Sequence, residues 1–155
     1  MPETTIDAID RKILNLLQHD CRRTVQQIAD EVGLSASPCH RRIKLMEERG
    51  LITNYIALVD QKAAGLPVSV FVSIKLERQK EADLARFAKA ISGWSEVLDC
   101  YLMTGPRDYL LRVVVADLAA YEQFLKRKLT RFDGISSIES SFALDQIKYT
   151  NALPI

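Results

Sequence analysis

The chain has 155 residues, 48% of them hydrophobic, a mean hydropathy of −0.03 and a net charge of +1. That is room for one medium domain or two small ones, without the charge excess of a protein that binds polyanions through bulk electrostatics. Its apolar runs are strand-sized and too short for a membrane-spanning helix, and the acidic start (MPETTID) has neither the basic nor the apolar region of a secretory signal.

The first helix is predicted to start near Asp7, with Ile9, Ile13, Leu16 and Leu17 on one face and Asp10, Arg11, Lys12 and Asn15 outside. Thr24 followed by Gln27 is a capping-box pattern, so a second helix starts there. Ile28, Ala29 and Val32 form its stripe, and Gly33 stands where a left-handed C-terminal residue is wanted. A third helix lies within residues 34–50 (LSASPCHRRIKLMEERG). Either Ser35 caps it with Pro38 in the first turn, or Ser37 caps it with Pro38 at the first helical position. Cys39, Ile43 and Met46 recur at i, i+4, i+7, while Ser37, Arg41 and Lys44 point the opposite way. Two helices joined by a tight Gly-containing turn, after a first helix, make a helix-turn-helix arrangement.

Residues 51–59 alternate well enough for a linking strand, and residues 60–67 read as loop. From Val68 the period changes to two: Val68, Val70, Val72, Ile74 and Leu76 alternate with Ser69, Phe71, Ser73 and Lys75. A helix follows over 81–92, then strands over 97–104 and 109–115 joined by a Gly-Pro-Arg-Asp turn. A second helix carries Leu118, Tyr121, Phe124, Leu125 and Leu129, and one strand or a pair closes residues 135–148. The order β-α-β-β-α-β is the ferredoxin-like split. The fold class is therefore α+β, with a helix-turn-helix domain over 1–52, a linking strand and loop over 53–67, and a βαββαβ domain over 68–155. Its strands are apolar on both faces: Leu98, Cys100 and Leu102 oppose Tyr101 and Met103, and Leu111, Val113 and Val115 oppose Leu110 and Val114. Two helices cover one face, so an identical sheet is the simplest cover for the other.

Residues 1–60 hold eight Lys/Arg against nine Asp/Glu, so a DNA reading rests on local clustering. No acid occurs from Leu34 to Met46. Arg41 and Lys44 sit on the exposed arc of the third helix for base-edge or phosphate contact, with Ser37 and His40 assisting and Ser35 and Pro38 at its entry. Arg42 is either a phosphate clamp or an intramolecular ion-pair partner. Thr24 and Gln26 open the second helix, whose N–H groups could meet a phosphate, the alternative being simple capping. His19, Cys21, Cys39 and His40 lack metal-ligand spacing, and three cysteines without CxxC pairs read as reduced thiols in a cytoplasmic protein. Neither a catalytic constellation nor a cofactor motif is present, so the chain reads as a non-enzyme.

Four segments together resemble the Lrp/AsnC (leucine-responsive / asparagine-responsive) family of transcription regulators. Residues 10–17 (DRKILNLL) are similar to its opening helix, and 32–39 (VGLSASPC) followed by Arg42 to its turn and recognition helix. Residues 104–111 (TGPRDYLL) are similar to its Gly-x-x-Asp-Tyr segment, and 140–150 (SSFALDQIKYT) to its closing strand. The resemblance implies a winged-type helix-turn-helix that binds double-stranded DNA, and a ligand-sensing domain that dimerises, with dimers assembling into octamers. It also implies an amino-acid effector near the Gly-x-x-Asp loop. On that reading Gly105 shapes the turn, Asp108 holds an α-ammonium group, and Tyr101, Met103 and Tyr109 line the pocket with Ser140 and Ser141 as hydroxyl donors. The bland alternative is a hairpin turn in which Asp108 bonds turn N–H groups. Pro106 and Arg107 replace the polar and aromatic residues common in the family loop, and Ser141 stands where Thr is common. The Arg107 guanidinium would favour an acidic ligand or form a surface ion pair. The alternative function is an amino-acid-binding oligomer whose helical domain docks protein rather than DNA.

Overall fold

Local capping signals set the helix starts in the computed structural model, which describes residues 6–155; the reading of the acidic start rests largely on residues 1–5, outside that range. The chain divides into a helical unit, which runs to Ala57 and also takes in Lys148–Ile155, and a sheet unit, Leu58–Ile147. In the helical unit, α1 (Ala8–His19) is capped by the Asp7 carboxylate, which accepts from the Ile9 and Asp10 N–H groups at 2.8 Å each. Helix α2 (Val25–Val32) opens with the Thr24–Gln27 capping box and ends on Gly33 at φ +74°, with the Leu34 N–H reaching back to the Ala29 carbonyl at 2.9 Å. That six-residue closure needs the left-handed residue that glycine supplies. Helix α3 (Ala36–Glu48) then follows at once with Ser35 as its cap, so Pro38 lies within the first turn. There its missing N–H costs nothing.

Ile13, Leu14, Ile28, Ala29, Cys39, Ile43 and Met46 are buried together as the core of the three helices. Ile9, Leu16 and Leu17, expected on the same stripe, are only partly buried, and Leu14 takes an interior place the pattern did not assign. Fully burying Ile13 or Ile28 contributes about 1.5–3 kcal/mol each. Among the described residues this unit contains no strand, so a wing is not formed within the single chain. Residues 53–59, expected as part of a linking strand, run without a paired neighbour, and Ile56, Leu58 and Val59 are exposed. An extended segment needs a second strand for its N–H and C=O groups, and among the described residues nothing supplies one.

The sheet unit has strands β1 (Val68–Leu76), β2 (Val97–Leu102), β3 (Tyr109–Val115) and β4 (Ile135–Phe142) in the spatial order β2-β3-β1-β4, all pairs antiparallel. Helices α4 (Glu81–Ile91) and α5 (Leu118–Phe124) bury the face that carries Val70, Val72, Ile74, Leu111, Val113 and Val115. Phe87 lies at its centre, its ring 4.7 Å from that of Tyr109 and 5.1 Å from that of Phe132. Leu118, expected on the buried stripe, is 65% exposed. Beyond Phe124 the next fully buried residue is Leu129, five positions on, and a π-helical turn over Leu125–Leu129 provides that spacing, with the Thr130 N–H bonded to the Leu125 carbonyl at 2.9 Å.

Strand β2 departs from strict alternation. Val97 pairs with Val113 but Asp99 pairs with Arg112, so one extra residue, Leu98, is accommodated at a bulge. Cys100 and Leu102 then share the face of Leu111 and Tyr109, while Asp99 and Tyr101 share the other. Leu98 therefore does not continue the row of Cys100 and Leu102 as simple alternation predicts. On the face away from the helices, Phe71 is 41% and Tyr101 57% exposed, while Arg112 is bonded to Gln61 at 3.2 Å and paired with Asp99 at 3.5 Å.

Ala29 is wholly buried between the helices. Ala29→Leu is expected to overpack that core and destabilise the helical unit by about 1–3 kcal/mol. The check is the urea midpoint of the helical far-UV signal, which should fall relative to wild type.

Candidate functional site

Helix α3 presents one face to its core and one to solvent. Cys39, Ile43 and Met46 are buried, and burial pushes the Cys39 thiol pKa up, away from a reactive thiolate. Ser35, Ser37, His40, Arg41 and Lys44 are exposed, with Pro38 half-buried at their base. The Ser35 hydroxyl makes no capping bond, so the first turn offers that hydroxyl and its N–H groups outward. Among the described residues Arg41 has no carboxylate partner, and Lys44 has only a long contact to Glu48 at 3.9 Å. A pair that exposed and that long contributes little.

Arg42, for which the sequence left a phosphate clamp and an ion pair open, behaves differently from Arg41 and Lys44. Its Nη1 lies 2.6 Å from Asp7 Oδ2 and 2.8 Å from Asp10 Oδ1, so one guanidinium bridges the cap and first turn of α1. It is the ion-pair partner of the two readings. At α2, Thr24 is engaged in capping: its hydroxyl accepts from the Gln27 N–H at 3.2 Å and its own N–H donates to Gln27 Oε1 at 2.8 Å. Gln26 is exposed and donates to Asp30 at 2.7 Å. Arg22, which sequence pattern did not single out, is 91% exposed in the turn before α2.

The turn between β2 and β3 is built on Gly105 at φ +108°, with the Met103 N–H donating to the Asp108 carbonyl at 2.8 Å. Asp108 is only 6% exposed. Its Oδ2 accepts from the Leu76 N–H and its Oδ1 from Gln79 Nε2, both at 2.6 Å, while its own N–H donates to the Ile74 carbonyl at 2.8 Å. The carboxylate therefore ties the turn to the end of β1, close to the bland reading except that the N–H groups come from another strand and its following loop. Gln79, 29 residues away, gave no sequence signal for this role. Arg107 donates to Ser137 Oγ and to Glu139 Oε2 at 2.6 Å each, the surface ion pair of the two readings for that residue.

The strands separate residues expected in one pocket. Tyr109 is buried against the helices with its hydroxyl donating to the Leu84 carbonyl at 3.3 Å, and burial pushes its pKa up. Ser140 lies on that same side, bonded to the Tyr121 hydroxyl, whereas Ser141 pairs with Phe71 on the opposite face. Tyr101, which pairs with Leu110, is also on that opposite face. Successive residues of a strand point to opposite faces, so Ser140 and Ser141 cannot serve one site together. What remains outward is Tyr101, Met103, Gly105, Pro106 and Ser141, with Arg107 half-buried beside them.

The AsnC-type helix-turn-helix domain model matches residues 6–47, and the Lrp/AsnC ligand binding domain model matches residues 69–153. The chain belongs to the Lrp/AsnC family. It is 42% identical over 150 residues to the DNA-binding transcriptional activator DecR of Escherichia coli K12, covering 97% of this chain and 99% of that one. It is 43% identical over 150 residues to the Bkd operon transcriptional regulator of Pseudomonas aeruginosa, covering 97% and 98%. Two crystal structures superpose with a TM-score of 0.92. One is an AsnC family transcriptional regulator from Agrobacterium tumefaciens, at 47% identity and 96% coverage of both chains. The other is a transcriptional regulator from Neisseria meningitidis in complex with L-Met, at 36% identity and 97% coverage of both. As a Lrp/AsnC protein the chain is a DNA-binding transcription regulator, α2 and α3 forming its helix-turn-helix.

Within the Lrp/AsnC helix-turn-helix, the Asp7–Arg42–Asp10 bridge carries a pH signature. The Asp10 N–H and the Arg42 guanidinium hold the Asp7 carboxyl below its ordinary value of 3.8. Asp7 thus binds its proton more weakly folded than unfolded. Its stabilisation is present above 3.8 and is lost as pH falls through the lower folded value. Urea midpoints of the helical unit should fall between pH 5 and pH 3, and Asp7→Asn, lacking the titrating group, should fall less over the same interval.

Proposed function

We propose that this regulator reads the DNA major groove with the outward face of α3. Arg41 and Lys44 contact base edges or phosphates, Ser37 and His40 assist them, and Ser35 with the first-turn N–H groups meets the backbone; Thr24 and Gln26 stand at the start of α2, beside a neighbouring phosphate. The single observation that carries this is the division of cations on α3, where Arg42 is consumed by two carboxylates while Arg41 and Lys44 stay exposed. Mobility shifts on DNA from upstream of the protein's own gene test it. Arg41→Ala/Lys44→Ala is expected to weaken binding at least tenfold and to lower the salt slope by about 2, one per lost phosphate contact. Binding as tight as wild type would remove the recognition-helix assignment and favour a protein-docking role for the helical unit.

The sheet unit is proposed to take an amino-acid effector at the β2–β3 turn, with Tyr101, Met103, Gly105, Pro106 and Arg107 around it and Ser141 on the same sheet face as Tyr101. Asp108 shapes the turn from within, and Tyr109 and Ser140 support it from the helix side. The relative solved with L-Met supports an amino acid as the ligand class. The exposed Phe71 and Tyr101 on the uncovered sheet face, and the unpaired residues 53–59, support a homodimer and a further assembly to octamers, in a cytoplasmic setting that keeps the three free thiols reduced. A thermal-shift screen of the twenty amino acids is the direct measurement: a ligand present at about a hundred times its Kd stabilises the native state by about 2.7 kcal/mol. Pro106→Gly/Arg107→Ala should lower the shift given by the responding amino acid, and a shift unchanged by that variant would place the ligand elsewhere.

A further inference from the structure

After β4 the chain returns to the helical unit, where residues 148–155 are held at several points. Gln18 of α1 engages the Leu153 backbone twice: the Leu153 N–H donates to Gln18 Oε1 at 2.6 Å, and Gln18 Nε2 donates to the Leu153 carbonyl at 3.3 Å. Asn15 Nδ2 donates to the Ile155 carbonyl oxygen at 3.0 Å, and the Ile155 side chain packs against the core of the three helices. The ligand binding domain match runs to residue 153, so residues that belong to the sensing domain by sequence are part of the DNA-binding unit in space.

Helix α1 connects this contact to the recognition helix. Asn15 and Gln18 occupy its last turns, and its cap and first turn supply Asp7 and Asp10 to Arg42 of α3. Twelve helical residues form a stiff rod about 18 Å long. A displacement imposed at Gln18 is therefore delivered at Arg42. The chain also crosses between the units near Ala57 and Leu58, and there Tyr55 donates its hydroxyl to Glu47 of α3 at 2.8 Å. The outgoing chain is held to α3 by that bond and by the Leu51 and Ile52 N–H groups donating to the Met46 carbonyl, while the returning segment is held to α1 by three hydrogen bonds and the partly buried Ile155 side chain.

We propose that residues 148–155 form a transmission strap. Changes in β4 at the sensing domain act on the DNA-binding unit through the Gln18–Leu153 grip and the Ile155 anchor, then along α1 to the Asp7–Arg42–Asp10 bridge. The proposal deepens the reading of the sheet unit as a sensor. Its test needs neither DNA nor effector, so its failure is separate from a failure of that reading.

The experiment is amide hydrogen exchange on the full chain, comparing four proteins: wild type, Ile138→Ala, Gln18→Ala/Ile155→Ala, and the triple variant. Ile138 is a β4 residue packed on the core of the sheet unit, remote in sequence from α1. If the strap transmits, Ile138→Ala speeds exchange across residues 8–19 at least threefold in the wild-type background. It adds nothing to the double variant, in which the strap is already released. Unchanged exchange in α1 while β4 itself exchanges faster overturns the proposal. So does an Ile138 effect that survives in the triple variant, since the coupling would then run through the Tyr55 crossing. Should Ile138→Ala unfold the sheet unit, Ile138→Val gives the same comparison with a smaller perturbation.

Discussion

A strand buries alternate residues against one layer of helices, and in this protein that constraint sorts more than the core. Along β1 it sends Val70, Val72 and Ile74 to α4 and α5 and leaves Phe71, Ser73 and Lys75 on the other side. Carried across the register to β3 and β4, it places Tyr109 and Ser140 with the helices and Tyr101 and Ser141 away from them. The turn at Gly105 then has two kinds of neighbour. Asp108 and Tyr109 hold it from inside, and Met103, Pro106 and Arg107 face outward. Any ligand taken there meets the outward set, while the inward set decides how rigidly that set is presented.

The helical unit solves a different problem. Its first sixty residues carry slightly more acid than base, so DNA attraction cannot come from overall charge. Acids are instead kept off α3 until Glu47, and Asp7 and Asp10, at the cap and first turn of α1, share the Arg42 guanidinium. One of three closely spaced cations is thereby spent on joining α3 to α1, which leaves Arg41 and Lys44 as the exposed charge. A surface of that kind depends on the helix being held in a fixed orientation, and the same bridge that removes a cation contributes that orientation.

Much of this was legible in the amino-acid sequence because it is local. The helix start near Asp7, the capping box at Thr24, a left-handed glycine at Gly33 and the period-two run from Val68 each operate within a few residues, and the βαββαβ order follows from the succession of such periods after Val68. What could not be read is long-range or depends on an irregularity. Arg42 finds partners 32 and 35 residues away, Asp108 finds Gln79 across 29, and neither pairing leaves a periodic trace. The bulge at Leu98 and the π-turn after Phe124 each interrupt an otherwise regular pattern: Leu98 leaves the row of Cys100 and Leu102, and five positions instead of four separate Phe124 from the next buried residue, Leu129. The split of Ser140 from Ser141 is of another sort: adjacent strand residues oppose each other by geometry, so alternation alone was enough to separate them.

The discontinuity of the helical unit has a consequence for biosynthesis. A ribosome releases α1, α2 and α3 early, and Ile155, whose side chain closes on their core, only after the whole sheet unit has followed. A unit begun before the sheet is thus completed only after it. A nascent regulator has its recognition helix exposed while about a hundred further residues are made, without the segment that packs on the three-helix core. Completion of the reader and completion of the sensor become a single event in the life of the chain.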